Sequence, residues 1–175
     1  MTFKIIETKR LFLRPITEAD VKDFFELDSN PNVHIYLGNK PVKTIIESEA
    51  MVADILEQYK TNGLGRLAII EKSTQEFIGW SGLKYEENLR KEFKYYDIGY
   101  RLKENFWGKG YATEAALASL NYGFKDLKLN EIGAAADVNH IASNTILKKI
   151  GMQHLGNFTF EGELCNWYNL KNPYV

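Results

Sequence analysis

Apolar residues recur at helical spacing in two early segments of the chain, and each segment follows a capping sequence. Thr17 with Asp20, and Thr44 with Glu47, have the spacing of a capping box, in which two side chains satisfy N–H groups of a first helical turn. The spacing predicts one helix after Thr17 and a second from Thr44 to residues 62–63, where Asn and Gly terminate the helix. The apolar positions on these helices are Val21, Phe24 and Phe25, and then Val52, Ile55, Leu56 and Tyr59.

Seven segments have the alternating or continuous apolar pattern of strands, at residues 10–14, 67–71, 77–85, 93–102, 131–138, 152–160 and 163–170. A third helix, extending to about residue 125, is predicted to bury Leu117, Leu120 and Phe124, and a fourth covers about residues 141–150. The order β-α-α-β-β-β-α-β-α-β-β indicates an α/β (α+β) protein with a mixed sheet and helices on its faces. We expect residues 1–175 to form a single domain.

Composition narrows the class of protein. The chain is 45% apolar and 26% charged with a net charge of −1, which is typical of a globular protein and does not indicate a nucleic-acid binder. Its one cysteine, Cys165, excludes an intrachain disulfide, and the three histidines lack metal-ligand spacing. We find no signal peptide and no apolar run long enough to span a membrane, and we therefore expect a cytoplasmic protein without a metal site.

A glycine-rich segment lies between a predicted strand and a predicted helix. Gly108 and Gly110 place exposed backbone N–H groups at the start of that helix, where the helix dipole also favours negative charge. Lys109 adds a formal positive charge between them. The segment therefore predicts a site for a phosphate or pyrophosphate group. A dinucleotide-binding fingerprint is disfavoured, because the third glycine of G-x-G-x-x-G is absent.

Together with this element order, four segments resemble one family. They are Trp107–Ala115, Thr8–Pro15, Ile98–Leu102 and Ala142–Met152. The chain is similar to the GNAT superfamily of acetyl-CoA-dependent N-acetyltransferases and, within it, to the ribosomal-protein N-terminal (alanine) acetyltransferase type. The resemblance covers nearly the whole chain and implies a mixed, mostly antiparallel sheet flanked by helices.

The resemblance also implies where acetyl-CoA binds, with CoA as a product. The glycine loop would hold the pyrophosphate with backbone amides, and the fourth predicted strand, splayed from the fifth, would contact the pantetheine arm. Asn105 departs from the family's Gln or Arg, and either Asn139 or His140 would contact CoA or simply cap the late helix. The cofactor-binding residues implied are Ile98, Tyr100, Leu102, Phe106, Trp107, Gly108, Lys109, Gly110, Tyr111, Ala112, Thr113, Asn139, His140, Asn144 and Lys148.

Two residues are candidates for catalysis. Leu147 occupies the position of the tyrosine acid of many family members, so Ser143, one turn earlier, is the candidate that protonates or hydrogen-bonds the leaving sulfur. Asp97 is the candidate base, and its alternative is an outward-facing, solvated carboxylate. Glu114 fits a helix-dipole partner better than a base. We expect Cys165 to be a buried structural thiol, which favours direct transfer in a ternary complex over an acetyl-cysteine intermediate.

The sequence leaves the acceptor amine open. Deprotonation at pH 7 costs about 1.4 kcal/mol for an α-amine and about 4.6 kcal/mol for a lysine amine, so a site without a strong base favours an α-amine. We therefore expect a protein or peptide N-terminus as acceptor. The alternatives are a small amine such as a polyamine, amino acid or aminoglycoside, or a catalytically silent CoA-binding module. Both a monomer and a homodimer are compatible with the sequence.

Overall fold

The computed structural model describes residues 4–175, which form one eight-stranded sheet with the order β1-β2-β3-β4-β5-β6-β8-β7. The strands are β1 (Ile6–Glu7), β2 (Leu11–Pro15), β3 (Arg66–Glu71), β4 (Phe77–Glu86), β5 (Tyr95–Leu102), β6 (Glu131–Asp137), β7 (Gln153–Phe160) and β8 (Glu163–Lys171). The helices are α1 (Val21–Asp28), α2 (Ile45–Asn62), α3 (Tyr111–Asn121) and α4 (Ile141–Lys149). Residues 1–3 lie outside the described residues, and they include the start of the segment for which the sequence predicts no signal peptide.

The mixed, mostly antiparallel sheet flanked by helices is confirmed. Among the described strands, β5 and β6 form the parallel pair and the other neighbours are antiparallel. The predicted element order is also found, with β1 as an additional short strand before β2. The fourth and fifth predicted strands are therefore β5 and β6.

The two faces of the sheet carry different helices. Helices α1 and α2 cover the face on which Phe24 and Val52 pack against Ala68 of β3, here called the α1–α2 face. Helices α3 and α4 cover the opposite face, where Leu120 and Leu147 pack with other fully buried side chains, here called the α3–α4 face. Because side chains alternate along a strand, the even-numbered residues of β5 point to the α3–α4 face and the odd-numbered residues to the α1–α2 face.

Both predicted capping boxes are present. Thr17 and Asp20 exchange the expected hydrogen bonds, and a short 3-10 turn at Glu18–Asp20 precedes α1. Thr44 and Glu47 do the same at the start of α2, which ends at a left-handed glycine. Burial alone would raise the pKa of Asp20, but hydrogen bonds from Arg14 and Thr17 lower it below its usual value.

The predicted apolar seam of α3 is wrong in one position. Leu117 is exposed, whereas Leu120 and Phe124 are buried as expected. The helix buries mainly small side chains such as Ala115 and Ala116, and a π-helical turn at Tyr122–Asp126 follows it. A π-helical turn shifts the phase of the residues beyond it, so helical periodicity no longer relates the burial of Leu117 to that of Phe124.

The sheet opens between its two parallel strands. Strand β5 pairs with β4 from Leu102 to Tyr95, whereas within residues 4–175 it shares only the register pair Asp97–Gly133 with β6. Beyond that pair, β5 and β6 diverge towards their carboxyl ends and leave a cleft, here called the β5–β6 cleft. The splay expected between the fourth and fifth predicted strands is therefore found.

Candidate active site

Two helices begin near the β5–β6 cleft. The segment after β5 leads through residues 103–110 into α3, and the segment after β6 leads through residues 138–140 into α4. In open sheets with parallel strands, ligands bind outside the carboxyl ends of those strands, where helix N-termini converge. The cleft is therefore the place at which the fold itself positions a phosphate-bearing ligand.

The glycine loop at the start of α3 has backbone geometry that requires glycine. Gly108 has φ of 72° and Gly110 has φ of 80°, both in the left-handed region, and Gly110 is the N-cap of α3. A Cβ atom on Gly108 would meet no atom within 4 Å, so the backbone there borders open space. The first helical N–H groups, from Tyr111 to Thr113, have no intrahelical acceptor. The loop thus fits the pyrophosphate of a CoA molecule.

An ion-pair brace holds this loop against the N-terminal strands. Arg10 donates from Nε to Glu114 at 2.7 Å and from Nη1 to the carbonyl of Lys109 at 2.8 Å. Thr8 donates its hydroxyl proton to the same carboxylate at 2.7 Å. Although burial opposes it, hydrogen bonding to Thr8 and Arg10 holds the pKa of Glu114 below its usual value. Glu114 is therefore an anchor of the loop, and the contribution of Arg10 was not predicted from the sequence.

The other residues expected at the loop lie around it. Trp107 is 45% exposed and donates from Nε1 to the carbonyl of Leu102 at 2.8 Å, which closes the turn after β5. Phe106 packs against Tyr111, and the Lys109 ammonium lies 5.2 Å from the Phe106 ring centre. Ala112 and Thr113, also expected at the cofactor, follow in the first turn of α3.

Ile98 and Leu102 of β5 are core residues in this fold. Both side chains are nearly inaccessible and pack into the clusters beneath α3 and α4. Their side chains therefore stabilise the strand, and the groups of this strand that border the cleft are its backbone amides. Backbone amides at an open strand edge can pair with an extended ligand that carries amides, as pantetheine does.

Tyr100 bridges the cleft from β5 to α4. Its hydroxyl donates to the Ser143 carbonyl at 3.0 Å and lies 3.1 Å from the Ser143 Oγ. Burial raises the pKa of Tyr100 well above its usual value, which keeps the phenol protonated and able to donate. The sequence predicted both residues at the site but not that their hydroxyls form a pair. Leu147, at the position of the family's tyrosine, is fully buried.

Asp97 lies on the opposite face of the same strand, at the apex of the cleft. Its carboxylate forms an ion pair with Arg66, which also donates to the Asp97 carbonyl at 3.0 Å. Burial raises the pKa of Asp97, and the Arg66 guanidinium opposes this shift. The alternative of an outward-facing, solvated carboxylate is therefore wrong, because the side chain is only 13% exposed and has a charged partner.

The pairing of Arg66 with Asp97 depends on two glycines between them. Arg66 of β3 is in register with Gly82 of β4, which is in register with Gly99 of β5. A Cβ on Gly99 would lie 2.8 Å from the Arg66 guanidinium, so any larger residue there would displace it. The two bare backbones let the arginine extend across β4 and reach Asp97.

The Asn144 side chain holds α4 on the sheet through hydrogen bonds. Its amide group donates to the carbonyls of Asp137 and His140, at 2.8 and 2.9 Å. Its side-chain oxygen accepts from Asn166 at 2.7 Å and from Tyr168 at 2.8 Å. Because both donors and both acceptor positions are used, the buried amide has no hydrogen-bonding group left for CoA.

The three remaining candidates on this segment are more exposed. His140 is the N-cap residue of α4 but forms no capping bond with its side chain, so neither it nor Asn139 caps the helix through a side chain. Instead, the His140 ring stacks on Tyr36 at 4.5 Å, and burial lowers its pKa. Lys148 is exposed in the last turn of α4.

Cys165 is half-buried in β8, whereas the sequence predicts a buried thiol. Burial raises its pKa, and the carboxylates of Asp137 and Glu163 raise it further. A thiol with a raised pKa carries little thiolate and is a poor nucleophile. This observation favours direct transfer over an acetyl-cysteine intermediate.

Two further features concern the described residues as a whole. No cluster of three or more His, Cys, Asp or Glu side chains suited to a metal ion occurs within residues 4–175. A groove of about 600 Å³ lies between residues 4–8 and the outer face of α3, and neither candidate catalytic residue lines it. We therefore place the candidate active site in the cleft rather than in the groove.

The family assignment rests on a match that covers most of the chain. Residues 10–153 match the model of the acetyltransferase (GNAT) domain. The chain belongs to the GNAT acetyltransferase family. As a GNAT member it is an N-acetyltransferase that uses acetyl-CoA, which confirms the predicted enzyme class and cofactor. The glycine loop and the splayed strands described above fit that cofactor.

Three known proteins are similar to this GNAT chain in sequence or in fold. It is 33% identical over 154 residues to the uncharacterized N-acetyltransferase YoaA of Bacillus subtilis, covering 88% of this chain and 85% of the relative. It is 24% identical to spermidine N(1)-acetyltransferase of Escherichia coli, over 93% and 80% of the two chains. RimL, a ribosomal L7/L12 alpha-N-protein acetyltransferase solved in complex with coenzyme A, superposes with a TM-score of 0.81 at 20% identity, over 96% and 98% of the chains.

Within residues 4–175, no helix combines the length and the apolar character that crossing a bilayer requires.

Proposed function

We propose that this protein transfers an acetyl group from acetyl-CoA to the α-amine of a protein or peptide N-terminus, by direct attack in a ternary complex. The observation that carries the proposal is the placement of Asp97 and the Tyr100–Ser143 pair around one cleft. They lie on opposite faces of β5, so an amine that enters from the α1–α2 face and a thiol held on the α3–α4 face would meet at the apex. The resemblance to the ribosomal-protein type supports an N-terminal acceptor.

Each group has a proposed task in the transfer. Bound acetyl-CoA supplies an activated acetyl thioester. Asp97, whose pKa is raised by burial, accepts a proton from the ammonium group of the acceptor directly or through a water molecule, and the neutral amine then attacks the thioester. The Tyr100 hydroxyl, which donates to the Ser143 carbonyl in this structure, would turn its proton to the Ser143 Oγ as the Ser143 hydroxyl proton hydrogen-bonds or protonates the leaving sulfur. The Arg66 guanidinium limits how far burial strengthens Asp97 as a base, which suits an α-amine better than a lysine amine.

A small-molecule amine is the second candidate acceptor. The similarity to spermidine N(1)-acetyltransferase supports it, at a lower identity than that to YoaA. The family match favours both transferase hypotheses over a catalytically silent CoA-binding module.

The acceptor is tested by measuring thiol release from acetyl-CoA with two matched panels. One panel holds peptides with a free N-terminus, each paired with its N-formylated form as a control. The other holds polyamines, amino acids and aminoglycosides at equal concentration. Turnover with free peptides, none with their blocked forms and little with the small amines is the expected result. Turnover confined to small amines would overturn the N-terminal proposal, and turnover with neither panel would overturn both.

A further inference from the structure

The loop between β4 and β5 places an arginine among three aromatic rings. The Arg90 guanidinium carbon lies 4.8 Å from the ring centre of Phe93, 4.5 Å from that of Phe158 and 5.0 Å from that of Trp167. The rings of Phe93 and Phe158 meet Trp167 edge-on, at 5.4 and 6.4 Å. Phe93, Phe158 and Trp167, here called the aromatic cage, surround the Arg90 guanidinium on several sides.

The charge of Arg90 is held mainly by these rings. Its side chain is 15% exposed, and its carboxylate partner at 3.2 Å, Glu92, is 65% exposed. An ion pair with a solvated carboxylate contributes little, whereas a cation over an aromatic face that is shielded from water is attracted more strongly. The cage is therefore a cation site, and Arg90 is its occupant in this structure.

The aromatic cage borders the apex of the β5–β6 cleft. The Trp167 ring packs edge-on against Tyr95 at 4.7 Å, and a Cβ on Gly133 would lie 2.4 Å from the Trp167 ring. Gly133 is the register partner of Asp97, and Tyr95 lies two residues before Asp97 on the same face of β5, about 7 Å along the strand. The cage is thus adjacent to the proposed base, on the side from which the acceptor amine enters.

One unpaired group adjoins the cage. The hydroxyl of Tyr95 is buried and has no hydrogen-bond partner within residues 4–175. The oxygen of this phenol can accept a hydrogen bond from an ammonium or guanidinium group that reaches it. By contrast, Arg90 comes from a loop rather than from a strand, so its side chain can leave the cage while the sheet stays intact.

We infer that the aromatic cage is a subsite for a second cationic group of the acceptor, which takes the place of Arg90. This inference rests on the proposed transfer to an amine beside Asp97. The acceptor would then carry an ammonium or guanidinium group a short flexible chain away from the reacting amine. A Lys or Arg side chain near a peptide N-terminus has that chemistry, and so has the second ammonium group of a polyamine.

The test compares acceptors with and without the second charge. One pair is a peptide with Ala-Lys at its N-terminus and the same peptide with norleucine in place of Lys; the other is 1,4-diaminobutane and butylamine. Arg90→Met removes the resident cation, and Lys91→Met removes an exposed cation from the same loop as a control. We expect Arg90→Met to lower KM for the dicationic acceptors about threefold or more, with no change for the monocationic ones. Lys91→Met should leave both unchanged.

A second variant tests the rings themselves. Phe158→Leu, in the edge strand β7, should raise KM for the dicationic acceptors selectively, also in the Arg90→Met background. Equal effects on both members of a pair would show that Arg90 and Phe158 are structural, and would overturn the inference. A selective effect in the peptide pair would identify a peptide side chain as the source of the second cation, and one in the diamine pair would identify a polyamine.

A binding measurement separates this inference from the proposed transfer. Calorimetric titration of the CoA-loaded Arg90→Met protein should show tighter binding of the Lys peptide than of the norleucine peptide even where no acetyl group is transferred. Preferential binding without turnover would overturn the proposed function and keep the subsite. Turnover without a preference for the Lys peptide would overturn the subsite and keep the proposed function.

Discussion

At the scale of single residues, two hydroxyls pair beside the cleft, whereas the position that a tyrosine on α4 fills in many GNAT enzymes carries no hydroxyl. Leu147 is buried at that position, and the Tyr100 hydroxyl instead reaches Ser143 from the neighbouring strand. A serine alone is a poor acid. A phenol proton turned to the Ser143 Oγ would stabilise negative charge on that oxygen, so the paired serine would be a better proton donor than a serine alone.

Removal of either hydroxyl should therefore impair turnover more than CoA binding. We expect Ser143→Ala and Tyr100→Phe each to lower kcat about a hundredfold, which is the lower range for general acid catalysis, and the double variant to lose little more. Steady-state kinetics and calorimetry with CoA measure the two effects. Thr145→Ala, an exposed hydroxyl on the same helix, is the control and should behave as the unsubstituted protein. If Ser143→Ala leaves kcat unchanged, that serine is structural.

The positions of the two candidate catalytic residues could be predicted from the sequence, but their interaction partners could not. Ser143 lies in a segment that resembles the family and Asp97 directly precedes another, so their positions were predictable. Arg66, however, is 31 residues from Asp97, and its ion pair depends on two glycines that let it cross β4. Such a contact requires the register of three strands, which local patterns do not specify.

At the scale of elements, the glycine loop is positioned by a strand segment far away in the sequence. Arg10 is more than 90 residues from Lys109, yet it donates to that carbonyl and to Glu114 in the first turn of α3. The loop itself was predictable, because glycines before a helix have a local meaning. The brace was not, because it depends on how β2 packs beneath α3.

Loss of the brace should weaken cofactor binding. In Arg10→Met the loop is less ordered before binding, and ordering a backbone costs about 1–2 kcal/mol per residue. We expect the Kd for CoA to rise about tenfold, which corresponds to about 1.4 kcal/mol. Lys9→Met removes the neighbouring exposed charge and should leave the Kd unchanged, as measured by calorimetry. An unchanged affinity in Arg10→Met would mean that the loop is ordered without the arginine.

Among the helices, capping signals predicted the structure better than apolar periodicity did. Both capping boxes predicted the helix starts correctly, because the cap and its partner are three residues apart and need no tertiary information. The seam of α3 failed at Leu117, because this helix buries alanines and then changes phase in a π-helical turn. Large apolar residues are a poor guide where a helix packs closely on a sheet through small ones.

At the scale of the whole molecule, the sheet consists of two parts joined at one point. Strands β1–β5 form one antiparallel part and β6–β8 the other, and within residues 4–175 they share the single register pair of Asp97 and Gly133. The Tyr100–Ser143 hydrogen bond and the Tyr36–His140 stack also connect elements on the two sides of the cleft. A ligand that fills the cleft would contact both parts, and its binding free energy would add to the stability of the whole fold.

Thermal unfolding with acetyl-CoA tests this consequence directly. A ligand at about 100 times its Kd adds roughly 2.7 kcal/mol to the free energy of unfolding. For a chain of this length that corresponds to a rise in Tm of about 5–11 °C. NAD is the control, because it also carries a pyrophosphate and an adenosine but lacks the pantetheine arm that would extend along β5. A rise with acetyl-CoA alone is expected. An equal rise with NAD would show that the loop binds pyrophosphates without the cleft taking part, and no rise with either would contradict the placement of the cofactor between β5 and β6.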